Sequence, residues 1–217
     1  MTGIESIVKT VILICHAESE KNAQVERSSK AFDRLSKGHF PSIEQLASIQ
    51  SVVFRSHANS ALSKLGAEQA SEMREILAKE RFWDKLGDFF IACSPFKRAR
   101  QTLESLHSNR TVSRTRLIDI LREATLYEST VNPMELDSRI GELETWLMHC
   151  PAPTIVVVGH PLFFRRILRE KGVMRYMDIV KATLTINPEG ESIWSDASLL
   201  FRSTLSKPPL NHEDMFH

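Results

Sequence analysis

Two histidines and a basic group each come just after a short apolar segment of this sequence. His16 stands two positions after Val11–Ile14, His160 two positions after Thr154–Val158, and Arg98 follows a third apolar run. A neutral imidazole can attack an electrophile or transfer a proton, and an arginine can bind a phosphate or carboxylate through two parallel hydrogen bonds. These residue types indicate nucleophilic or acid–base chemistry on an anionic substrate. For His16 alone, an incidental surface histidine after a core strand is the alternative.

The apolar segments are predicted to be buried strands of a mostly parallel sheet, whose carboxyl ends share one edge. The side chains that follow these strands can therefore converge. The predicted strands are Val11–Ile14, Phe89–Ala92, the edge strand Thr111–Thr115, Thr154–Val158, Ala182–Ile186 and Ser198–Phe201. Helices are predicted from Ser42 to about Val53, from Ser63 to Leu86, from Pro95 to His107, from Pro133 to Pro151, and from Leu162 to Lys171 with Gly172 as its C-cap. Residues 23–40 are predicted to be a functional loop.

Length and composition bound the possible functions. The 217 residues, 42% hydrophobic and 25% charged, fit a single globular domain over residues 1–205, with a disordered tail over 206–217. A formal net charge of +1 gives no global reason to expect nucleic-acid or membrane binding. Three cysteines argue against a disulfide framework and for a reducing compartment. Without an apolar leader or a run of about 18 apolar residues, a cytoplasmic location is expected.

The junction after the second predicted strand has the features of an anion-binding helix start. Ser94 and Pro95 suit the N-cap and the first helical position. Lys97, Arg98 and Arg100 lie in or just after the first turn, where cations are unfavourable unless an anion balances them. The pattern favours a phosphate site, and the alternative is a solvated basic patch at a helix end.

Together these segments resemble the histidine phosphatase (phosphoglycerate mutase-like) superfamily. Its signature is Arg-His-Gly with a later Asn, Pro-Leu-Thr-x-x-Gly-x-Gln-Ala, Ser-Pro-Leu-x-Arg-Ala-x-Gln-Thr, Leu-x-Glu and Ser-His-Gly. The counterparts here are Cys15-His16-Ala17 with Asn22, Ser60-Ala-Leu-Ser63 with Gly66 and Gln69-Ala70, Ser94-Pro-Phe-Lys-Arg98-Ala-Arg-Gln-Thr102, Leu121-Arg-Glu123 and Gly159-His160-Pro161. The resemblance covers roughly residues 10–170 in the correct order. It implies an α/β fold of three layers, doubly wound, with helices on both faces of a mostly parallel central sheet.

The resemblance also implies a set of site residues. His16 would accept the phosphoryl group, Glu123 would act as general acid and then base, and His160, if protonated, would donate to the phosphoryl oxygens. Arg98 and Asn22 would bind phosphate, and no metal or other cofactor is needed. The alternatives are that Glu123 is a surface charge beside Arg122 and that Asn22 is a helix or turn cap.

One departure from the signature bears directly on activity. Cys15 replaces the arginine that precedes the nucleophile, and a thiol supplies neither its charge nor its donors. Its loss would slow the reaction on the order of a hundredfold. Arg55, Lys21 or Arg100 could supply a substitute cation in the substrate site.

Two classes of function stay open. One is a phosphomonoesterase that acts on a small phosphorylated metabolite or a phosphoprotein. The other is a pseudophosphatase that binds a phosphorylated ligand or protein partner, and a mutase is less favoured than either. We expect a monomer or homodimer. Cys15 and Cys93 also raise the hypothesis of a switchable disulfide, or of a soft-metal site with His16 and His160.

Overall fold

The structure is a computed structural model, and it describes residues 6–27, 59–106, 114–125, 128, 131–169 and 174–206. Six strands in this part of the chain form one sheet, and five helices with stated bounds accompany it. The strands are β1 (Ile7–Cys15), β2 (Phe89–Cys93), β3 (Thr115–Leu117), β4 (Thr154–Gly159), β5 (Ile179–Ile186) and β6 (Ser192–Phe201). The helices are α1 (Lys64–Lys79), α2 (Phe82–Lys85), α3 (Lys97–Leu106), α4 (Pro133–His149) and α5 (Pro161–Leu168).

The strand order is β3-β2-β4-β1-β5-β6. The first four strands in this order run parallel, while β5 and β6 are antiparallel to their neighbours. Strand β4 therefore lies between β1 and β2, and the carboxyl ends of these three strands meet at one edge. This arrangement brings the residues that follow them into one place.

Alternating residues of the central strands face two separate apolar clusters. Val11 and Leu13 of β1 pack in the cluster that contains the inner faces of α4 and α5. Ile12 and Ile14 pack in the cluster that contains the inner faces of α1 and α3. Because neighbouring residues of a strand point to opposite faces, the sheet is the middle of three layers. The predicted α/β fold with helices on both faces of the sheet is confirmed.

Several predicted boundaries were wrong. Residues 20–27 are helical rather than loop, because Ser19 accepts the Asn22 backbone N–H and caps the turn. Helix α5 ends at Leu168 with left-handed Arg169, before the predicted glycine. Strands β5 and β6 are longer than predicted because they pair along almost their whole length as an edge hairpin.

Other predicted elements cannot be compared in full. The predicted helix over residues 42–53, most of the predicted edge strand over 111–115, and the tail beyond Ser206 lie outside the described residues. The strand at that edge is Thr115–Leu117. In the part of the chain that the structure describes, no helix combines the length and apolar character needed to cross a bilayer.

Helix α1 approaches the loop after β1 so closely that only glycine fits at one position. A Cβ atom built on Gly66 would lie 2.0 Å from the Glu18 carbonyl oxygen. Ser63 caps the helix by accepting the Gly66 N–H at 3.0 Å, and its own backbone N–H donates to the same Glu18 carbonyl at 3.0 Å. The helix start is thus fixed to the segment that follows His16.

We predict that Gly66→Ala destabilises the protein by about 2–3 kcal/mol, since the backbone must shift to relieve the overlap. Gly141→Ala is the matched control, because Gly141 is also helical and a Cβ there meets nothing within 4 Å. The control should be neutral or stabilise the fold by up to about 1 kcal/mol. Denaturant unfolding measures both changes, and equal effects would contradict the close approach.

Candidate active site

The three strand ends place His16, Ser94 and His160 side by side. The backbone N–H of His16 donates to the Gly159 carbonyl at 3.0 Å, and that of Ser94 donates to the Val158 carbonyl at 2.9 Å. The imidazole centroids of His16 and His160 are 5.0 Å apart. Both rings are almost completely buried. The convergence predicted from the strand ends is therefore present.

His16 presents one ring nitrogen to the site as a lone pair. Its Nδ1 lies 2.7 Å from the Ala17 carbonyl oxygen, which can only accept, so Nδ1 carries the proton. The Arg98 Nε–H donates to His16 Nε2 at 3.2 Å. Burial, then the positive charge of Arg98, lowers the pKa of His16 well below its ordinary value. The ring is therefore neutral, and its lone pair is on Nε2.

His160 is also neutral, and the hydroxyl of Ser94 orients it. Ser94 Oγ accepts the Phe96 N–H at 3.4 Å and lies 2.8 Å from His160 Nε2. Because that hydroxyl can donate to this nitrogen or accept from it, the contact fixes the orientation of the ring rather than its tautomer. Burial, with Arg98 and Arg139 after it, lowers the pKa of His160. A protonated His160 was one expectation, and the apolar surroundings favour the neutral ring instead.

Glu123 completes the cluster. Its Oε2 lies 3.4 Å from His160 Nδ1 and 3.7 Å from Arg98 Nη2. Its Oε1 makes no hydrogen bond among the described residues. Burial raises the pKa of Glu123, and the charge of Arg98 opposes the shift. The side chain faces the histidines, whereas exposed Arg122 turns back to donate to the Asp119 carbonyl.

A buried ion pair holds the loop that carries Glu123. Arg139 of α4 donates to Glu128 Oε1 and to the Arg122 carbonyl, both at 2.6 Å. Glu128 Oε2 accepts the backbone N–H of Thr125 at 2.7 Å. The residues on both sides of Glu123 are therefore tied to one helix, which fixes the direction of the carboxylate.

The loop after His16 is held by side chains from α1 and α3. Thr102 Oγ1 accepts the Ala17 N–H at 3.0 Å and donates to the Arg98 carbonyl at 2.7 Å. Gln69 Oε1 accepts the next N–H, that of Glu18, at 2.9 Å. Thr102 thus connects the backbone of the loop after His16 to the backbone of Arg98. The sequence signal for both residues was their place in the motif blocks, which did not itself indicate this role.

The start of α3 differs from the predicted anion site. The Lys97 backbone N–H donates to Asn59 Oδ1 at 2.6 Å, and Ser94 takes the Phe96 N–H. The helix begins at Lys97 rather than at the proline. Because these amides already have acceptors, the Arg98 side chain rather than the helix terminus presents the positive charge.

Of the other predicted binding residues, some lie near the cluster and others do not. Asn22 Oδ1 accepts the Ser19 N–H at 3.3 Å, which is the capping interaction given as the alternative. Lys21 is half-buried, and burial and then Arg98 lower its pKa while Glu123 raises it, so it lies within the field of the site. Arg100 is exposed on α3, about 200° around the axis from Arg98, and does not share its face. Arg55 lies outside the described residues.

The cysteine hypotheses do not fit the structure. Cys15 packs with one apolar cluster and Cys93 with the other, so the two side chains point to opposite faces of the sheet. Their strands are also separated by β4, and both thiols are free and buried. The hypothesis of a disulfide between them is therefore wrong. Burial raises the pKa of Cys15 well above its ordinary value, so it stays an uncharged thiol.

Two aromatic residues that motif reasoning did not identify border the site. The Tyr176 ring lies 5.5 Å from that of His16, tilted by 33°. The Phe96 ring lies 5.4 Å from that of His160 and 4.8 Å from Arg98 Cζ. Neither contact follows from sequence spacing.

His16, Glu123 and His160 also offer ligand atoms within 4.8 Å of one another, a group that could hold a metal ion. The guanidinium of Arg98, however, donates to His16 Nε2, one of these ligand atoms. A fixed positive charge at this distance repels a cation and attracts an anion. The position of Arg98 therefore favours an anion over a metal ion.

Comparisons with known proteins agree with this fold. The model of the histidine phosphatase superfamily (branch 1) matches residues 44–131, a range that includes Arg98 and Glu123. A mycobacterial hydrolase has a similar structure with a TM-score of 0.55, 15% identity, and coverage of 90% of this chain and 100% of its own. A phosphoglycerate mutase from Bacillus anthracis str. Sterne has a TM-score of 0.54, 12% identity, and coverage of 88% and 93%. No curated protein matches the sequence with significance.

The resemblance to the histidine phosphatase superfamily that the motifs indicate is thus confirmed. The structural neighbours establish the shared fold, and the family match supports a phosphatase-type function. The matched range includes neither His16 nor His160. Any role for these two residues therefore has to be argued from their geometry.

We predict that Thr102→Val destabilises the protein by about 1–3 kcal/mol, since it leaves the buried Ala17 N–H without an acceptor. Thr102→Ser keeps the hydroxyl and should retain most of the stability. Denaturant unfolding compares the two variants. A serine variant as unstable as the valine variant would show that packing, rather than the hydrogen bond, accounts for the loss.

We predict that His16 and His160 stay neutral as the pH falls through about 6.5, where exposed imidazoles titrate. Because their folded-state pKa values are depressed, their contribution to stability is present above that pH and is lost as the pH falls. Long-range ¹⁵N–¹H spectra report the charge and tautomer of each ring. Titration of either ring near pH 6.5 in the folded protein would contradict this description.

Proposed function

We propose that this protein is a phosphomonoesterase that works through a phosphohistidine at His16. One observation carries the proposal: the neutral imidazole of His16 accepts a hydrogen bond at Nε2 from the Arg98 Nε–H, at 3.2 Å. An arginine that donates to the nucleophile is already placed for the oxygens of a phosphoryl group attacked by that nitrogen. No metal is required, because the arginine and the imidazole N–H supply the stabilisation.

The first step would transfer the phosphoryl group to the protein. The Nε2 lone pair of His16 attacks phosphorus, the bond to the leaving oxygen breaks, and that oxygen takes a proton from Glu123. The raised pKa of Glu123 supports its role as an acid, because a carboxyl with an ordinary pKa would rarely be protonated near neutral pH.

The second step would release inorganic phosphate. Water attacks the phosphohistidine, Glu123 accepts a proton from it, and the phosphorus–nitrogen bond breaks. Arg98 would move its donors from His16 to the phosphoryl oxygens, and an N–H of the neutral His160 ring would add a further donor. The fixed loops on either side keep these donors in place at little entropic cost.

The missing arginine at position 15 must be offset for this chemistry to be efficient. Lys21 is the best substitute among the predicted cations, since it couples electrostatically to both Arg98 and Glu123. Its half-buried position supports a role beside the phosphoryl group. Asn22 could add an amide donor if its capping interaction leaves the amide nitrogen oriented towards the substrate.

The substrate class we propose is a small phosphorylated metabolite or a phosphoprotein. A mutase is less favoured, because it must also hold a second phosphorylated position of the substrate. One observation favours a pseudophosphatase instead: Cys15 is uncharged and buried where the family has a cation. Turnover is therefore the property that separates the two proposals.

We predict that His16→Ala lowers phosphomonoester hydrolysis by about a thousandfold or more, since no other group takes the phosphoryl group. Glu123→Gln should lower kcat/KM, which reports formation of the phosphohistidine, far more for an alkyl phosphate than for p-nitrophenyl phosphate, whose leaving group needs no proton in the first step. Steady-state assays with both substrates measure this. A rate unchanged in His16→Ala would refute the proposed mechanism, and no turnover by the wild type would favour the pseudophosphatase.

We predict that Lys21→Met lowers kcat/KM by about tenfold or more, because a charged donor is lost from the site. Lys97→Met is the matched control, since Lys97 is exposed on α3 and should be neutral within about twofold. Equal effects of the two variants would show that only the general charge of the surface matters.

A further inference from the structure

Among the described residues, Arg98 is a buried cation with few strong polar partners. Its Nε donates to a neutral imidazole at 3.2 Å, and its nearest carboxylate contact, to Glu123, is long at 3.7 Å. Burial lowers the pKa of Arg98, which reflects the cost of removing the guanidinium from water. A cation in these surroundings needs a further contact to hold one orientation.

Phe96 supplies that contact. Arg98 Cζ lies 4.8 Å from the centroid of its ring, within the distance at which the ring face attracts a cation. The ring also meets that of His160 in a T-shaped contact at 5.4 Å and 68°. One side chain therefore touches both the arginine and the second histidine of the site.

The backbone of Phe96 is itself fixed. Its N–H donates to Ser94 Oγ at 3.4 Å, and its carbonyl accepts the N–H groups of Ala99 and Arg100 at 3.0 and 3.1 Å. These bonds place the ring at the start of α3, two positions before Arg98. The hydrogen bonds thus fix the point on the backbone from which the ring reaches Arg98 and His160.

The residue type at this position departs from the family signature, which has leucine between Ser-Pro and x-Arg. Leucine can fill the space but offers no negative ring face to a cation. This chain also has Cys15 where the signature has an arginine, so the Arg98 guanidinium must supply more of the positive charge at the site. We propose that Phe96 is a positioning residue that holds the Arg98 guanidinium, and with it the His160 ring, ready for a phosphoryl group.

This inference deepens the proposed function and rests on it for its purpose, but its test does not require turnover. Phe96→Leu removes the ring face and keeps apolar bulk, whereas Phe96→Tyr keeps the ring. Phe90→Leu is a matched control, because Phe90 is also partly buried and meets Trp146 at 5.8 Å outside the site. Phe96→Met replaces the leucine variant if that variant does not fold.

The direct readout is the ¹⁵N–¹H signal of the Arg98 Nε–H in the ligand-free protein, assigned by its loss in Arg98→Lys. We expect Phe96→Leu to raise the exchange rate of this proton by about tenfold or more, and to weaken binding of inorganic phosphate, measured by calorimetry, by about 5- to 20-fold. Phe96→Tyr and Phe90→Leu should remain within about twofold of the wild type in both measurements.

Three results would overturn the inference. The Arg98 Nε–H could exchange at the wild-type rate in Phe96→Leu, or its exchange could rise as much in Phe96→Tyr or in Phe90→Leu as in Phe96→Leu. If the wild type binds no phosphate, the exchange measurement decides alone. A protein without turnover whose Arg98 signal still depends on the Phe96 ring would refute the proposed function while supporting this inference.

Discussion

The hydrogen bond from Arg98 Nε–H to His16 Nε2, at 3.2 Å, is the interaction on which the rest of the site depends. It requires a neutral imidazole, and burial together with the arginine charge keeps it so. It also requires a cation in an apolar site, which costs free energy unless an anion or a ring face compensates. A site built in this way is suited to exchange the imidazole for the oxygens of a phosphoryl group.

Most of the other contacts keep these two side chains where they are. Thr102 joins the loop after His16 to the Arg98 backbone. On the far side, the Cys15 N–H donates to the Asp178 carbonyl, and the Asp178 carboxylate receives two donors of Arg202 at 2.7 Å. The backbone on either side of His16 is therefore held by Thr102 of α3 and by the segment that precedes β5.

The sequence was sufficient for the fold class and for the meeting of the three strand ends, because apolar runs and helix-start signals are local. It was not sufficient for the tautomer of His16 or for the orientation of the His160 ring, which depend on a carbonyl and a hydroxyl brought close only by folding. The hypothesis of a disulfide between Cys15 and Cys93 was wrong because strand order, which places β4 between their strands, is not a local property. The sequence showed Phe96 only as a position in a motif, because its contact with the Arg98 guanidinium depends on how the two side chains are oriented in the folded protein.

The proposed mechanism requires that His16 carry the phosphoryl group during turnover. The most direct measurement is to trap that intermediate in Glu123→Gln, which should form it readily from p-nitrophenyl phosphate but hydrolyse it slowly. After an alkaline quench, peptide mass spectrometry should find a phosphoryl group on His16. Release of p-nitrophenol with the phosphoryl group on another residue, or without any adduct on His16, would contradict the account.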